Sequence, residues 1–399
     1  MAQAESRYML WNFPAGRKEK RQVLLNAVED VREVLEAGAD QAEEDGTLPQ
    51  ASVDALYESG LLALKLPAEL GGAEADPVTQ VEVIEALARI DSAAAWSTMI
   101  GATSIAAPGA YLSDEAIEKM FAGGRPPKGA GVFVTAGVAV ATEGGYTVNG
   151  RWPFASGIRH AEWVSGGVRV VRDGSETSER LRIVFPASQV EIHDNWQVAG
   201  LKGTGSNDYS VTDLFVPDEF AWDPITTAPK RGGPLFLMGL PGLVANEHAA
   251  FALGVGRRAW DTIAGQSQVG RGWGRPVAIA SRESFQRSLG RCDLQLRAVR
   301  SLVIEVLEQA WDSVCNGNTP DLQLQIEMRS SATYATEVAV DVASQAFRYG
   351  GGRALYNTSV LQRCLRDLEA AAQHLMVSDS SYEIHGQFML GMPEIDPMG

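Results

Sequence analysis

Apolar positions in the first 128 residues recur at helical spacing. Over 18–44, Val23, Leu24, Ala27, Val31, Val34 and Leu35 share one face with charges opposite, which predicts an amphipathic helix. Pro49 opens a shorter helix that Gly60 stops. Asp76 before Pro77 joins a cap to a first-turn proline and predicts a helix reaching Ile90. The next stretch, through Trp96 and Ile100, is apolar nearly all round and is expected to be buried. Ser113 begins one more short helix, ended by Gly123 and Gly124. Near residue 129 the texture changes. The segments 131–142, 146–152, 163–171, 181–185 and 209–216 read as strands, with Asn149-Gly150 as a tight-turn signal. After Pro234, long stretches of 3.6 period return at 243–265, 276–314, 322–347 and 359–376. The pattern predicts an α+β chain: an N-terminal helical domain (1–128), a middle β domain (129–230) and a C-terminal helical domain (231–399).

Composition narrows the function classes. The chain has 399 residues, 45% of them hydrophobic, and a net charge of −16. So acidic a surface argues against nucleic acid and against an anionic membrane as partners. Cys292, Cys315 and Cys364 are far apart and odd in number, the pattern of reduced cytoplasmic thiols. The first 16 residues lack a basic end followed by an apolar run, so no secretory signal is read there. Gly203-Thr204-Gly205 lacks the third glycine of a dinucleotide fingerprint and sits among strands. The five histidines, His160, His193, His248, His374 and His385, are scattered singly, and no metal is expected.

Local motifs add a resemblance. Leu66-Pro67-Ala68-Glu69-Leu70-Gly71-Gly72, the stretch from Gly145 to Trp152, the Val211 to Pro217 strand, and Gly350-Gly351-Gly352 before Arg366-Asp367 resemble, in order and spacing, the acyl-CoA dehydrogenase superfamily. Three further segments are similar to its flavin-dependent two-component monooxygenases, such as p-hydroxyphenylacetate hydroxylases. They are Trp152-Pro153-Phe154-Ala155-Ser156-Gly157 through His160 to Trp163, Gly200 to Asp208, and Leu361 through Asp367 to Gln373-His374. The resemblance spans roughly residues 20 to 380. It implies a middle β-barrel or sandwich and a C-terminal four-helix bundle.

It also implies chemistry. A reduced flavin, FMN or FAD, would react with dioxygen through a C4a-hydroperoxyflavin and hydroxylate a small aromatic or natural-product substrate. Ser156 and His374 are the implied catalytic residues, facing the flavin from two domains. Ser156 would stand near flavin N5. His374, placed by helical spacing on one face with Asp367, Ala370 and Ala371, would move protons as an imidazole titrating near neutrality. Trp152, Phe154, Ser156, Thr204 and Ser206 would contact the cofactor, with Arg271 on its phosphate and Gln286 nearby. His160, Trp96 and Met99 are candidates for the substrate pocket. A separate flavin reductase, dioxygen, a small organic substrate and a homotetramer complete the implied partners.

Two departures from the family pattern matter. Dehydrogenases of this fold carry a catalytic glutamate about eight residues after the Arg-Asp pair. Here that stretch is Ala372-Gln373-His374-Leu375-Met376, without a carboxylate, and only Glu369 is near in sequence. Several aromatic hydroxylases carry a histidine in the buried helix after the tryptophan matched by Trp96. Here Ser97-Thr98-Met99-Ile100-Gly101 follows. The alternatives are therefore an FAD-dependent acyl-CoA dehydrogenase-like enzyme, N-oxygenation of an amine, or a ligand-binding relative without chemistry.

Overall fold

Eleven α-helices and seven strands form in the described residues of the computed structural model, 10–268 and 278–398. The order is helical, β, helical, as the periodicities predict. The chain divides into two compact units. Among the described residues, the first holds 10–75, 96–197 and 202–236; the second holds 76–95, 198–201, 237–268 and 278–398.

In the first unit, α1 (Arg17–Asp30) and α2 (Arg32–Asp45) replace the single predicted helix. Val31, at φ −91° and ψ −4°, breaks the run, and its N–H is shared between the carbonyls of Ala27 and Glu29. α3 (Gln50–Glu58) follows Pro49, as expected. The helix α5 (Ser92–Tyr111) includes the buried Met99, Ala102, Ile105 and Ala106. In α6 (Asp114–Met120) the Ser113 hydroxyl accepts the Ala116 N–H at 3.2 Å.

The middle of the chain makes one seven-stranded sheet. Its strands are β1 (Gly129–Thr142), β2 (Gly145–Ala155), β3 (Trp163–Arg172), β4 (Ser175–Pro186), β5 (Glu191–Ile192), β6 (Asn207–Pro217) and β7 (Ala221–Trp222). They lie in the order β5-β6-β2-β1-β3-β4-β7, with β1 and β3 parallel and the other pairs antiparallel.

The Asn149-Gly150 signal misleads. The β1–β2 hairpin turns at Glu143-Gly144, and Asn149 and Gly150 lie inside β2. Asn149 engages Asp213 with its amide, donating to its carboxylate and accepting its N–H, each at 2.9 Å. Gly150 is required for space. The indole of Trp152 fills a slot floored by three glycines: a Cβ on Gly137, Gly150 or Gly166 would stand 2.3, 2.7 or 2.7 Å from it. The ring stacks on Tyr209 at 5.1 Å, tilts against Phe185 at 6.0 Å and donates its N–H to the Gly167 carbonyl at 2.8 Å. Burying such a ring stabilises by roughly 4–6 kcal/mol before entropic costs.

The second unit is helical. α7 (Gly239–Ser267) packs on α9 (Leu322–Gly350), on α4 (Pro77–Ile90) and on α10 (Val360–Ala371), while α9 also packs on α8 (Glu283–Cys315) and α11 (Ser380–Met389). Asp76 caps α4 through the Thr79 N–H at 3.1 Å, with Pro77 at its first turn. Small residues set the spacing: Gly254 of α7 lies against Glu85 and Ala88 of α4, and Gly256 against Ala339 of α9. On the rim, Arg300 pairs with Glu85 at 2.7 Å and Arg257 with Asp293 at 2.6 Å. No helix among the described residues is long and apolar enough to cross a membrane.

The glycine slot yields a test. Gly166→Ala should destabilise the protein by about 1–3 kcal/mol through overpacking against Trp152. Chemical denaturation followed by tryptophan fluorescence measures this, and Gly352→Ala, at a site without positive φ where an added Cβ meets nothing within 4 Å, controls for the loss of glycine as such.

Candidate active site

Ser156 owes its position to the end of β2. Trp152 is locked in the core, so the strand must leave its partner just beyond it. The β2–β6 register slips between Trp152 and Ala155, and Phe154 takes φ +66°, a conformation that costs a non-glycine residue about 1 kcal/mol or more. Gly157 follows at φ +73°, and its N–H donates to the Thr204 carbonyl at 2.9 Å. That bond ties the strand end to the turn Lys202–Thr204, where Gly205 at φ +53° returns the chain into β6.

Four side chains converge there. The Trp96 indole N–H donates to Ser156 Oγ at 3.0 Å. Ser156 Oγ shares a hydrogen bond with Ser206 Oγ at 2.7 Å, and Ser206 Oγ with Thr204 Oγ1 at 2.6 Å. All four residues are buried. Phe154, by contrast, is 66% exposed, with its ring edge-on to Trp196 at 6.2 Å. A large ring held in the open by a strained backbone, beside a row of hydroxyls, suits a flat heteroaromatic ligand with polar edge atoms. The residues of this unit fit an isoalloxazine. Trp152 itself is fully buried with its N–H engaged, so it supports the strand end and has no free face for a ligand.

His160 ends the 3-10 turn Ile158–His160 just beyond Gly157. Its Nε2 is 3.0 Å from Thr47 Oγ1, and burial holds its pKa below the ordinary histidine value. Beside it lies a cavity of about 40 Å³ walled by Leu48, Val53, Leu56, Leu62, Ile105 and Pro127, with Ser97, His160 and Lys128 as its polar lining. Ser97 Oγ has no hydrogen-bond partner among the described residues. On α5 it is Ser97, Gly101 and Ile105 that face the cavity. Met99 is fully buried and Trp96 is turned to Ser156, so neither expected pocket residue lines it. A cavity this size holds a water or two; a benzene-sized ring needs about 150 Å³.

The second unit holds His374, and here the helical-face expectation is corrected. α10 stops at Ala371: the N–H groups of Gln373 and His374 bond three residues back, to Ala370 and Ala371, which tightens and ends the helix. His374 instead caps the turn Leu375–Val377, its Nδ1 accepting the Met376 N–H at 3.2 Å. A neutral ring whose Nδ1 accepts must carry its proton on Nε2. Nor does the group titrate near neutrality, because burial pushes its pKa down to about 4. The His248 ring, buried in α7, stacks on it with centroids 4.2 Å apart. Arg329, buried in α9, fastens the same turn by donating to the Leu375 carbonyl at 3.1 Å and the Met376 carbonyl at 3.4 Å. Asp367, also buried, accepts from the Leu201 N–H at 2.6 Å and from the Ser92 hydroxyl. Glu369 is exposed.

Sequence reasoning passed over His248 and Arg329. A lone histidine and a lone arginine inside apolar helical stretches carry no spacing signal. Gln286 sits in the first turn of α8 and donates to the Ala280 carbonyl at 2.9 Å. Arg271 lies outside the described residues. Among the described residues no group of His, Cys, Asp and Glu is placed to hold a metal.

Comparison with known proteins identifies the family. Residues 17–121 match the family Acyl-CoA dehydrogenase, N-terminal domain, and residues 247–379 match Acyl-CoA dehydrogenase, C-terminal domain. The chain belongs to the acyl-CoA dehydrogenase superfamily. Within it, the relatives are oxygenases. The chain is 28% identical to an indole-3-acetate monooxygenase of Pseudomonas putida, over 85% of this chain and 86% of that one. It is 27% identical to the oxygenase subunit HsaA of a flavin-dependent monooxygenase of Rhodococcus jostii, over 91% and 97%. Among solved structures, XiaF from a Streptomyces species, in complex with FADH2 and glycerol, superposes with a TM-score of 0.87 at 26% identity, over 96% and 98%. This member of the superfamily is thus a flavin-dependent monooxygenase.

The depressed pKa of His374 sets a pH dependence. Its folded value lies below the unfolded one, so the unfolded chain binds the extra proton first on acidification. The stability it carries is complete above about pH 6.5 and is lost progressively toward pH 4. Between pH 7 and pH 5 the loss should be about 2 kcal/mol. Urea unfolding at the two pH values should show it, and His374→Gln should flatten that dependence.

Proposed function

We propose that this chain is the oxygenase component of a two-component system, taking reduced FMN or FAD from a separate flavin reductase and hydroxylating a small aromatic molecule. Bound reduced flavin supplies two electrons and the site of dioxygen activation; one oxygen atom goes to substrate and the other to water. The observation carrying the reading is the buried hydroxyl row ending in Ser156, set beside the exposed Phe154 ring. Ser156 bonds the flavin edge, Thr204 and Ser206 hold Ser156, and Phe154 covers a ring face. His374 presents a fixed Nε2–H as a hydrogen-bond donor; in this reading it donates while neutral. A donor that stays neutral adds no charge to a site that must exclude water.

The aromatic substrate class rests on the relatives, among them the indole-3-acetate monooxygenase and a resorcinol hydroxylase oxygenase component of a Rhizobium species. The apolar cavity beside His160 is the inner end of the substrate site, and it must widen to admit a ring. Arg271 reaches a flavin phosphate in this reading, with Gln286 near it. The protein assembles as a homotetramer, for which exposed Leu294, Leu302 and Tyr334 on α8 and α9 give an apolar face. A cytoplasmic location suits its three free cysteines.

Incubation with reduced FMN or FAD, 18O-labelled dioxygen and indole-3-acetate or resorcinol tests the reaction. One labelled oxygen atom in the product is expected. A double bond formed in an acyl thioester without label would replace this reading with dehydrogenation, and label on the nitrogen of an amine substrate would replace it with N-oxygenation. Ser156→Ala should speed peroxide release from the protein loaded with reduced flavin about tenfold, by removing one charge-assisted hydrogen bond; an unchanged rate would remove Ser156 from the mechanism. His374→Ala should lose product while its flavin Kd stays within about threefold, the change expected when a group does not contribute to ground-state binding.

A further inference from the structure

The four-membered chain at the end of β2 contains one group whose direction is not negotiable. An indole nitrogen only donates, whereas each hydroxyl can donate or accept. Trp96 N–H therefore always occupies one acceptor position of Ser156 Oγ. Ser206 occupies a second position, in either sense, because Ser206 lies between Ser156 and Thr204 and can pass the direction along. A hydroxyl has three strong positions, one proton and two lone pairs. Ser156 is left with one.

That remaining position is a proton when the row runs from Thr204 through Ser206 to Ser156. It is a lone pair when the row runs the other way. Rotating the three hydroxyls converts one sense into the other, with no proton transferred and no heavy atom moved. Without the Trp96 bond, Ser156 would have two open positions, and its hydroxyl would no longer be aimed.

We propose that Trp96 is a positioning residue for Ser156: its indole N–H pins the serine hydroxyl so that it offers one directed position to the flavin edge, with Ser206 and Thr204 as the arm that sets donor or acceptor sense. This rests on the reading that Ser156 contacts flavin. It assigns Trp96 to the cofactor side of the chemistry, where the sequence pointed to the substrate pocket. Phe at position 96 would keep an aromatic ring there and remove the N–H, leaving a small cavity where the five-membered ring stood.

The test uses the full chain and two readouts. In the first, the indole N–H resonances of 15N-labelled protein are recorded without flavin. One of the nine tryptophans should move upfield and exchange faster with water in Ser156→Ala, and the same resonance should vanish in Trp96→Phe. In the second, Trp96→Phe should raise peroxide release from the protein loaded with reduced FMN by about three- to tenfold, the change expected on losing one neutral hydrogen bond. The Trp96→Phe, Ser156→Ala double variant should be no faster than Ser156→Ala. If Ser156→Ala does not change peroxide release, the flavin role of Ser156 fails. If Ser156→Ala speeds release and Trp96→Phe behaves as wild type, the Ser156 role stands and the Trp96 assignment is overturned. Should Trp96→Phe not fold, the Ser156→Ala spectrum decides alone: an unaltered set of indole resonances overturns the inference.

Discussion

The seating of Trp152 among three glycines is the constraint from which the site follows. The indole is too large for the space a regular strand leaves, so Gly137, Gly150 and Gly166 give up their side chains to admit it. Once it is in place, with its N–H on the Gly167 carbonyl, β2 has a fixed end. The next residues must leave the ladder abruptly, and the strain appears at Phe154. That departure carries Ser156 under Trp96 and next to Ser206. Trp152, expected to contact the cofactor, thus acts at one remove, by deciding where the hydroxyl row stands.

The helical unit solves a related problem by other means. A histidine cannot be aimed from a helix interior if the helix ends before it, and α10 ends at Ala371. The aim comes from three sources, two of them remote in sequence. The Met376 N–H fixes the ring tautomer, the His248 ring supports its face, and Arg329 anchors the turn through two carbonyls. Burial then keeps the group neutral. A neutral, oriented donor differs chemically from the near-neutral proton shuttle that residue type alone suggests. The environment, rather than the imidazole, sets the role.

Legibility in the sequence followed how local each cause was. Helices with a strong face and a capping pair were readable, as Asp76-Pro77 and Ser113 show, and so was the change of period at the sheet. Resemblance carried the family and pointed to Ser156 and His374. The failures share one physical origin, a tertiary demand that overrides a local signal. Asn149-Gly150 has turn chemistry, yet Asn149 is claimed by Asp213 and Gly150 by the Trp152 ring. Trp96 has an apolar setting, yet its one polar atom is engaged by Ser156. His374 keeps helical spacing past the point where the backbone stops being helical. Val31 looks like a core position of one long helix, and the chain breaks there.

These cases also explain why Trp96 matters more than its surroundings suggest. In a row of hydroxyls every member can reverse, so the row by itself has no preferred direction and cannot aim a proton. A fixed partner for Ser156 has to come from a group that is donor-only or acceptor-only. A charged group would supply it at a high desolvation cost in so buried a place. An indole supplies it with a neutral N–H and a ring whose own burial is favourable through apolar contact. Tryptophan is thus suited to hold one lone pair of a buried serine without leaving a charge there, while the hydroxyl row can still run in either sense. Phenylalanine in its place keeps an aromatic ring but gives up the N–H, so the Ser156 hydroxyl loses its fixed donor.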